Sequence, residues 1–308
     1  MIKRLLLASA ALALSTQVGA AAELKKIGVT LGSLGNPFFV ALANGAKAKA
    51  QETNPKVEVI STSADYDLNK QFTQMDNFIA AGVNMILVNA VDPKAILPAI
   101  KRAQAAGIVV VAVDVAAAGA DATVQTNNVQ AGQIACQFIV DKLNGKGDVI
   151  IQNGPQVSAV IDRVKGCKEV FGKASGIKVL SDDQDAKGSR EGGLNVMQGY
   201  LTRWPHIDAV FSINDPQAIG SDLAAKQLNR KEMIITSVDG APDIEVALKG
   251  NTLVQASSSQ DPYMMAQIAV ATGVEIMNGK KPADPMILMP SKLITRDNVG
   301  EYKGWTSR

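Results

Sequence analysis

Residues 108–113 read IVVVAV, an unbroken apolar run that is mostly β-branched. A strand of that kind has no face for solvent, so it belongs in a sheet covered on both sides, as parallel sheets wrapped by helices are. The chain around it repeats one rhythm of short β-branched strand, loop and amphipathic helix. Strands are expected at 27–31, 57–62, 85–89 and 109–114, with helices at 37–53, 68–81 and 94–106 between them. At 123–128 the rhythm restarts, with helices at 129–144, 158–174, 190–203 and 218–228 and strands at 148–152, 178–181, 209–214 and 234–239. A further strand at 253–259, a helix at 261–278 and an extended stretch at 286–295 have no partner half and are expected to cross back. The expected fold is therefore α/β, with two doubly wound, Rossmann-like parallel-sheet lobes and a cleft between them. The repetition is of architecture, since no fixed-period identity accompanies it.

The first 22 residues read as a secretory signal peptide. Lys3 and Arg4 make a basic start, 5–14 is an apolar run too short to span a bilayer, and Val18-Gly19-Ala20 supplies the small residues of a cleavage site. An uncleaved anchor is the alternative, but no stop-transfer segment follows, and the chain is expected to be exported and soluble. The formal charge of +2 resides in Lys3 and Arg4, and without them 29 basic residues face 29 acidic ones. That balance leaves no basic excess for a nucleic-acid partner. Cys136 and Cys167 are the only cysteines. An oxidising compartment and an even count invite a disulfide between them, and two buried free thiols are the alternative. Two cysteines without clustered histidines make no zinc site, so no metal is expected.

Chemistry concentrates at the carboxyl ends of the expected strands, where open α/β sheets bind ligands. Asn36-Pro37 opens the first long helix, with Asn at the cap and Pro in the first turn. Phe38 and Phe39 follow, where a half-buried helix needs only one ring against the sheet. Either both rings are core, or one covers a small-molecule pocket. Asn36, Asn89, Asp114, Asn214, Asp239 and Gln260 all stand at strand ends or just beyond them. Any one could be a turn former or helix cap. Together they offer the paired acceptors and donors that vicinal hydroxyls need, and Arg163 adds a fixed donor fork.

NPFFVAL at 36–42, LVNAVDP at 87–93, VAVD at 111–114, DAVFSIND at 208–215, VDGAPD at 238–243 and SQDP at 259–262 resemble the motifs of periplasmic ribose-type sugar-binding proteins. These are the type I solute receptors of ATP-driven importers. The resemblance implies a periplasmic receptor whose two lobes, joined by a three-crossing hinge, close on one sugar or polyol for delivery to a membrane permease. It implies lobes of 23–126 with 260–289 and 127–259 with 290–308, and crossings near Thr126, Gln260 and Pro290. Carried over by position, Asn36, Phe38, Phe39, Asn89 and Asp114 form the first lobe's wall, Arg163, Asn214 and Asp239 the second's, and Gln260 lies at a hinge. A monomer without cofactor is expected, and a role in chemotaxis or signalling without transport is the alternative.

The match departs from the ribose-type pattern at three places. Val238 stands where that pattern has an aromatic before Asp239, a Lys187-Gly188 loop where it has another, and Val115 where it has an arginine. A pocket short of rings offers less platform for a flat furanose or pyranose, which leaves another pentose, a ketose or an open-chain polyol as ligand. An enzyme reading is weaker. The first strand-helix turn reads GSLGNP without the dinucleotide fingerprint, no phosphate-binding loop motif occurs, and the single histidine, His206, has no evident partner in sequence. Asp114 and Asp239 are expected to be ionised acceptors. A sugar-responsive repressor would need a helix-turn-helix where this chain has its signal peptide.

Overall fold

A computed structural model describes residues 23–305, so the signal-peptide reading lies outside the described residues. One sheet contains β1 (Lys26–Leu31), β2 (Glu58–Ser63), β3 (Met85–Val88), β4 (Val109–Val113), β5 (Ala122–Thr126) and β11 (Met286–Met289). Its strand order is β11-β5-β4-β3-β1-β2, and every pair is parallel. The other contains β6 (Lys146–Gln152), β7 (Gly176–Ser181), β8 (Ala209–Ser212), β9 (Ile234–Asp239), β10 (Val254–Ser259) and β12 (Leu293–Thr295), in the order β12-β10-β9-β8-β6-β7. Here only β12 runs antiparallel, against β10. The central strands β3, β4 and β8 are buried almost throughout, as their continuous apolar sequences require, while β2 and β7 at the edges are half exposed.

Helices cover both faces of each sheet. On the first, α1 (Pro37–Thr53) and α9 (Pro262–Met277) pack together on one face, and α2 (Leu68–Ala80) and α3 (Leu97–Ala105) cover the other. On the second, α4 (Asn128–Lys142) pairs with α5 (Ser158–Phe171), opposite α6 (Arg190–Arg203), α7 (Asp215–Gln227) and α8 (Pro242–Lys249). The two α/β lobes and their parallel sheets are those read from the strand-helix rhythm. The chain passes between the sheets at β5 to α4, at β10 to α9, and between β11 and β12.

Local chemistry explains where boundaries moved. Asp92 Oδ1 accepts from the Lys94 and Ala95 amides, both at 2.8 Å, and holds a turn that delays α3 to Leu97. Asn214 accepts from Gln217 N (3.1 Å) and caps α7, which therefore begins at Asp215 rather than at 218. Helix α8 was absent from the sequence reading. The stretch 286–295 is two strands in different sheets, with Pro290-Ser291 between them.

The helices α4 and α5 touch backbone to backbone. A Cβ on Gly132 would come 2.0 Å from the Arg163 carbonyl oxygen, and one on Gly166 would come 2.1 Å from that of Val129. Only glycine fits such an approach. Four residues beyond the Gly132–Arg163 contact on each helix, Cys136 and Cys167 are disulfide-bonded with their Cα atoms 5.2 Å apart. The bridge and the two glycines fix the register of α5, and with it the position of Arg163.

Candidate functional site

All nine candidate residues, the six at strand ends with Phe38, Phe39 and Arg163, line one cavity of about 40 Å³ between the carboxyl ends of the two sheets, together with Tyr66. That volume is well below the roughly 300–1,000 Å³ usual for small-molecule sites. A wider opening of about 340 Å³ adjoins it, sharing Asn36, Tyr66 and Gly188. The cavity is closed over in part by a hydrogen bond between lobes, from Ala116 N in the loop after β4 to Ser158 Oγ at the start of α5 (2.7 Å).

The first-sheet wall begins with Asn36, whose Oδ1 accepts from Phe38 N (3.0 Å) as the α1 cap. The question of the paired rings resolves in favour of both roles at once. Phe38 and Phe39 are 3% and 5% exposed, belong to the core, and also border the cavity. They meet edge to face at 5.4 Å, and Phe38 continues to Trp305 at 5.6 Å. Phe39 continues to Tyr66 at 6.4 Å. Tyr66 escaped the sequence reading because it lies in the irregular β2–α2 connection, at a left-handed φ of 56°. Asn89, at the end of β3, donates from Nδ2 to Asp114 Oδ2 (2.9 Å) and to Val113 O (3.2 Å). The other oxygen, Asp114 Oδ1, is buried without a hydrogen-bond partner.

On the second-sheet wall, Arg163 is 4% exposed, in the second turn of α5. Its Nε donates to Asn128 Oδ1 (2.9 Å), and its Nη1 donates to Ile213 O (2.9 Å) and reaches Asp239 Oδ1 at 3.5 Å. A surface pairing of Arg163 with Asp162 or Glu169 does not occur; Glu169 accepts from Gln133 instead. Asn214 Nδ2 donates to Gly188 O (2.9 Å), so the Lys187-Gly188 loop meets the cavity through glycine backbone. Asp239 accepts at Oδ1 from Gln260 Nε2 (2.7 Å). Trp305 Nε1 donates to both Asp239 O (3.2 Å) and Gln260 O (3.0 Å). Val238 points into the core and away from the cavity.

The carboxylates differ from the sequence expectation in their acidity. Burial pushes Asp114 up to about 6, against the pull of the Arg163 charge and the Asn89 hydrogen bond. Asp239 is raised by the same burial, opposed by Arg163 and Gln260. Both backbones also take φ values that L residues rarely adopt, 68° at Asp114 and 142° at Asp239, strain of the sort held at functional sites. A third carboxylate, Asp215, is buried against the Ser237 and Ser257 hydroxyls and the Ala241 amide (2.7 Å from the last two), and burial together with Asp239 raises it well above the usual range. Asp215 was not singled out in the sequence, where it falls between the expected strand at 209–214 and the expected helix at 218–228 with no local sign of burial. His206 is exposed and does have a partner, Asp208 Oδ1 at 2.8 Å. Among the described residues no cluster of three or more His, Cys, Asp or Glu side chains could hold a metal ion, and no helix is long and apolar enough to cross a membrane.

Two α/β lobes around a cavity of rings, amides, carboxylates and one guanidinium define a receptor for a small polar molecule. A family profile described as a periplasmic binding protein domain matches residues 27–281. The ribose import binding protein of Bacillus subtilis is 33% identical over 274 residues, covering 88% of this chain and 87% of that protein. The xylitol-binding protein of Mycolicibacterium smegmatis is 32% identical over 282 residues, covering 90% and 79%. Among solved structures, a solute-binding protein of an ABC transporter from Mycobacterium smegmatis with bound glycerol superposes with a TM-score of 0.85 at 27% identity, over 93% of this chain and 99% of that one. Another, from Bacillus halodurans with bound myo-inositol, gives 0.83 at 27% identity, over 92% and 99%. The chain belongs to the periplasmic binding protein family of sugar-binding ABC solute receptors.

Proposed function

We propose that this protein is a periplasmic receptor that closes on a neutral monosaccharide or polyol and delivers it to the permease of an ABC importer. The observation that carries the reading is Asp114 Oδ1, a buried acceptor at the cavity with no donor. A buried polar atom left unmade costs about 1–3 kcal/mol, which a ligand hydroxyl would recover. Arg163 Nη2, which has no hydrogen bond among the described residues, supplies the complementary donor. Relatives named for ribose import and for xylitol support the ligand class.

In this reading Asn36, Phe38, Phe39, Asn89 and Asp114 meet the ligand from a lobe of 23–126 with 260–289. Arg163, Asn214 and Asp239 meet it from 127–259 with 290–308, and Gln260 from the hinge. Crossings near Thr126, Gln260 and Pro290 let the lobes separate, and a ligand touching both walls favours the closed form by its differential affinity. The protein acts as an exported monomer after loss of its signal peptide, and it binds without chemical turnover.

Titration calorimetry with Arg163→Met tests the site. The variant keeps most of the stem and removes the fork, and should weaken sugar binding on the order of ten- to a hundredfold, as losing a charged hydrogen-bond partner does. An unchanged Kd would remove Arg163 from the site. Sugar uptake by cells lacking the protein separates import from sensing alone, because a pure sensor leaves uptake intact.

A further inference from the structure

Behind the cavity five residues close a ring of hydrogen bonds. Arg163 Nε donates to Asn128 Oδ1 (2.9 Å), and Asn128 Nδ2 donates to the Thr126 carbonyl (3.0 Å). Thr126 Oγ1 donates to Gln260 Oε1 (2.7 Å), Gln260 Nε2 donates to Asp239 Oδ1 (2.7 Å), and Arg163 Nη1 reaches that same oxygen at 3.5 Å. Thr126 and Asn128 are 1% and 2% exposed, and neither borders the cavity. They flank the first passage between the sheets, and Gln260 lies on the second.

We propose that Thr126 and Asn128 are positioning residues for ligand binding, aiming the Arg163 guanidinium through a ring that closes only when the two passages hold their present geometry. The inference rests on the reading that Arg163 and Asp239 hold the ligand. With Nε fixed by Asn128 and Nη1 by Ile213 O, the fork has one free end, Nη2, to present. Gln260 is held at both ends of its amide, by a hydroxyl at the oxygen and a carboxylate at the nitrogen, so its orientation is set before a ligand arrives. Thr126 ends a strand of the first sheet, whereas Gln260 follows a strand of the second. A rotation of the lobes is absorbed at such passages, and it separates Thr126 Oγ1 from Gln260 Oε1. Once that bond is lost, Gln260 is free to turn over, and Asp239 loses its shortest donor. Bonds in such a chain polarise one another, so one deletion is felt beyond its own pair. The coupling runs both ways: a ligand that fixes Arg163 and Asp239 favours this hinge geometry, and this hinge geometry raises affinity.

The test follows the Arg163 Nε–H resonance by NMR in the full mature chain, assigned by its loss in Arg163→Met. Thr126→Val deletes the hydroxyl at nearly constant shape, and Thr126→Ser restores it. The valine variant should shift the exchange-protected Nε–H signal, although Thr126 does not touch Arg163. It should also weaken binding of D-ribose or xylitol, whichever the wild type holds more tightly, by about tenfold, with recovery of both in the serine variant. Asn128→Ala, which removes the Nε acceptor itself, should shift the signal further. A signal unmoved by Thr126→Val overturns the proposal whether or not either probe binds. If Arg163→Met weakens binding while Thr126→Val leaves it intact, the site stands and the positioning role falls. If Arg163→Met changes nothing, the site assignment fails and the NMR comparison alone decides the ring.

Discussion

On the first-sheet side of the cavity polar groups are left open, while on the second-sheet side they are largely spoken for. The first wall presents three rings and a carboxylate oxygen with no donor. In the second, Asn214 caps a helix and ties down Gly188 O, Asp239 takes Gln260 and Arg163, and Arg163 itself is held at two of its three nitrogens. Behind that wall lie the disulfide and the two glycine contacts that set α5. In the proposed binding mode the first wall is the receiving surface and the second a framework built in advance. Division of that kind reduces the side-chain ordering that binding must otherwise supply.

Removing the framework should have the largest effect. Opening the Cys136–Cys167 bond releases a loop with a sequence separation of 31, and the chain-entropy model values such a closure at roughly 3–4 kcal/mol. Urea unfolding with and without reductant, set against Cys136→Ala/Cys167→Ala, should show that loss. Coincident midpoints would mean the second wall owes nothing to its bridge.

Asp114→Asn breaks the comparison from the other side. The carboxyl is raised to about 6 when folded against about 3.9 when unfolded, so the native state holds its proton more tightly. Stability therefore falls as pH rises from about 4 to about 6, and the deficit persists above that. Asparagine carries no such penalty and tolerates the φ of 68°. The unliganded variant should gain roughly 2–3 kcal/mol at pH 7–8 and yet bind sugar ten- to a hundredfold more weakly. In the wild type, Kd should tighten as pH rises through about 6, because the ligand's donors favour the ionised acceptor. A variant no more stable than wild type at pH 8 would show that the open oxygen carries no cost.

Tyr66→Ala should do least, weakening binding by roughly 0.5–1.5 kcal/mol, the usual worth of an aromatic contact beyond its area. It sharpens the contrast between the walls, since Tyr66 brings a ring to the cavity from the first-lobe side while Val238 and Gly188 leave the second lobe without one. Equal affinity in calorimetry would make Tyr66 a spectator.

What could be read in advance depended on how local the cause was. Strands such as β4 announced themselves because burial on both faces leaves an apolar run, and Asn36-Pro37 marked a helix start by its own chemistry. Helix α8, only eight residues long, begins just after Gly240-Ala241, where turn signals mask it. The split of 286–295 between two sheets is a matter of partners, which no local pattern encodes. At the site, strand-end position was enough to single out the amides and carboxylates. Tyr66 was hidden because a loop at positive φ has no periodicity to betray which way a ring points. The raised pKa values of Asp114 and Asp239 were equally out of reach, since they arise from burial by distant segments.

Trp305 turns this geometry into an optical signal. Its ring is 6% exposed and stands edge-on to Phe38 of the first wall, while its Nε1–H is bonded to the Asp239 and Gln260 carbonyls. The other tryptophan, Trp204, lies half-buried between Tyr200 and the Arg203 guanidinium, away from the cavity. Any separation of the walls changes the surroundings of one indole and leaves the other as an internal standard. If the lobes open and close as proposed, the chain carries a native fluorescent gauge of that motion, readable without a label.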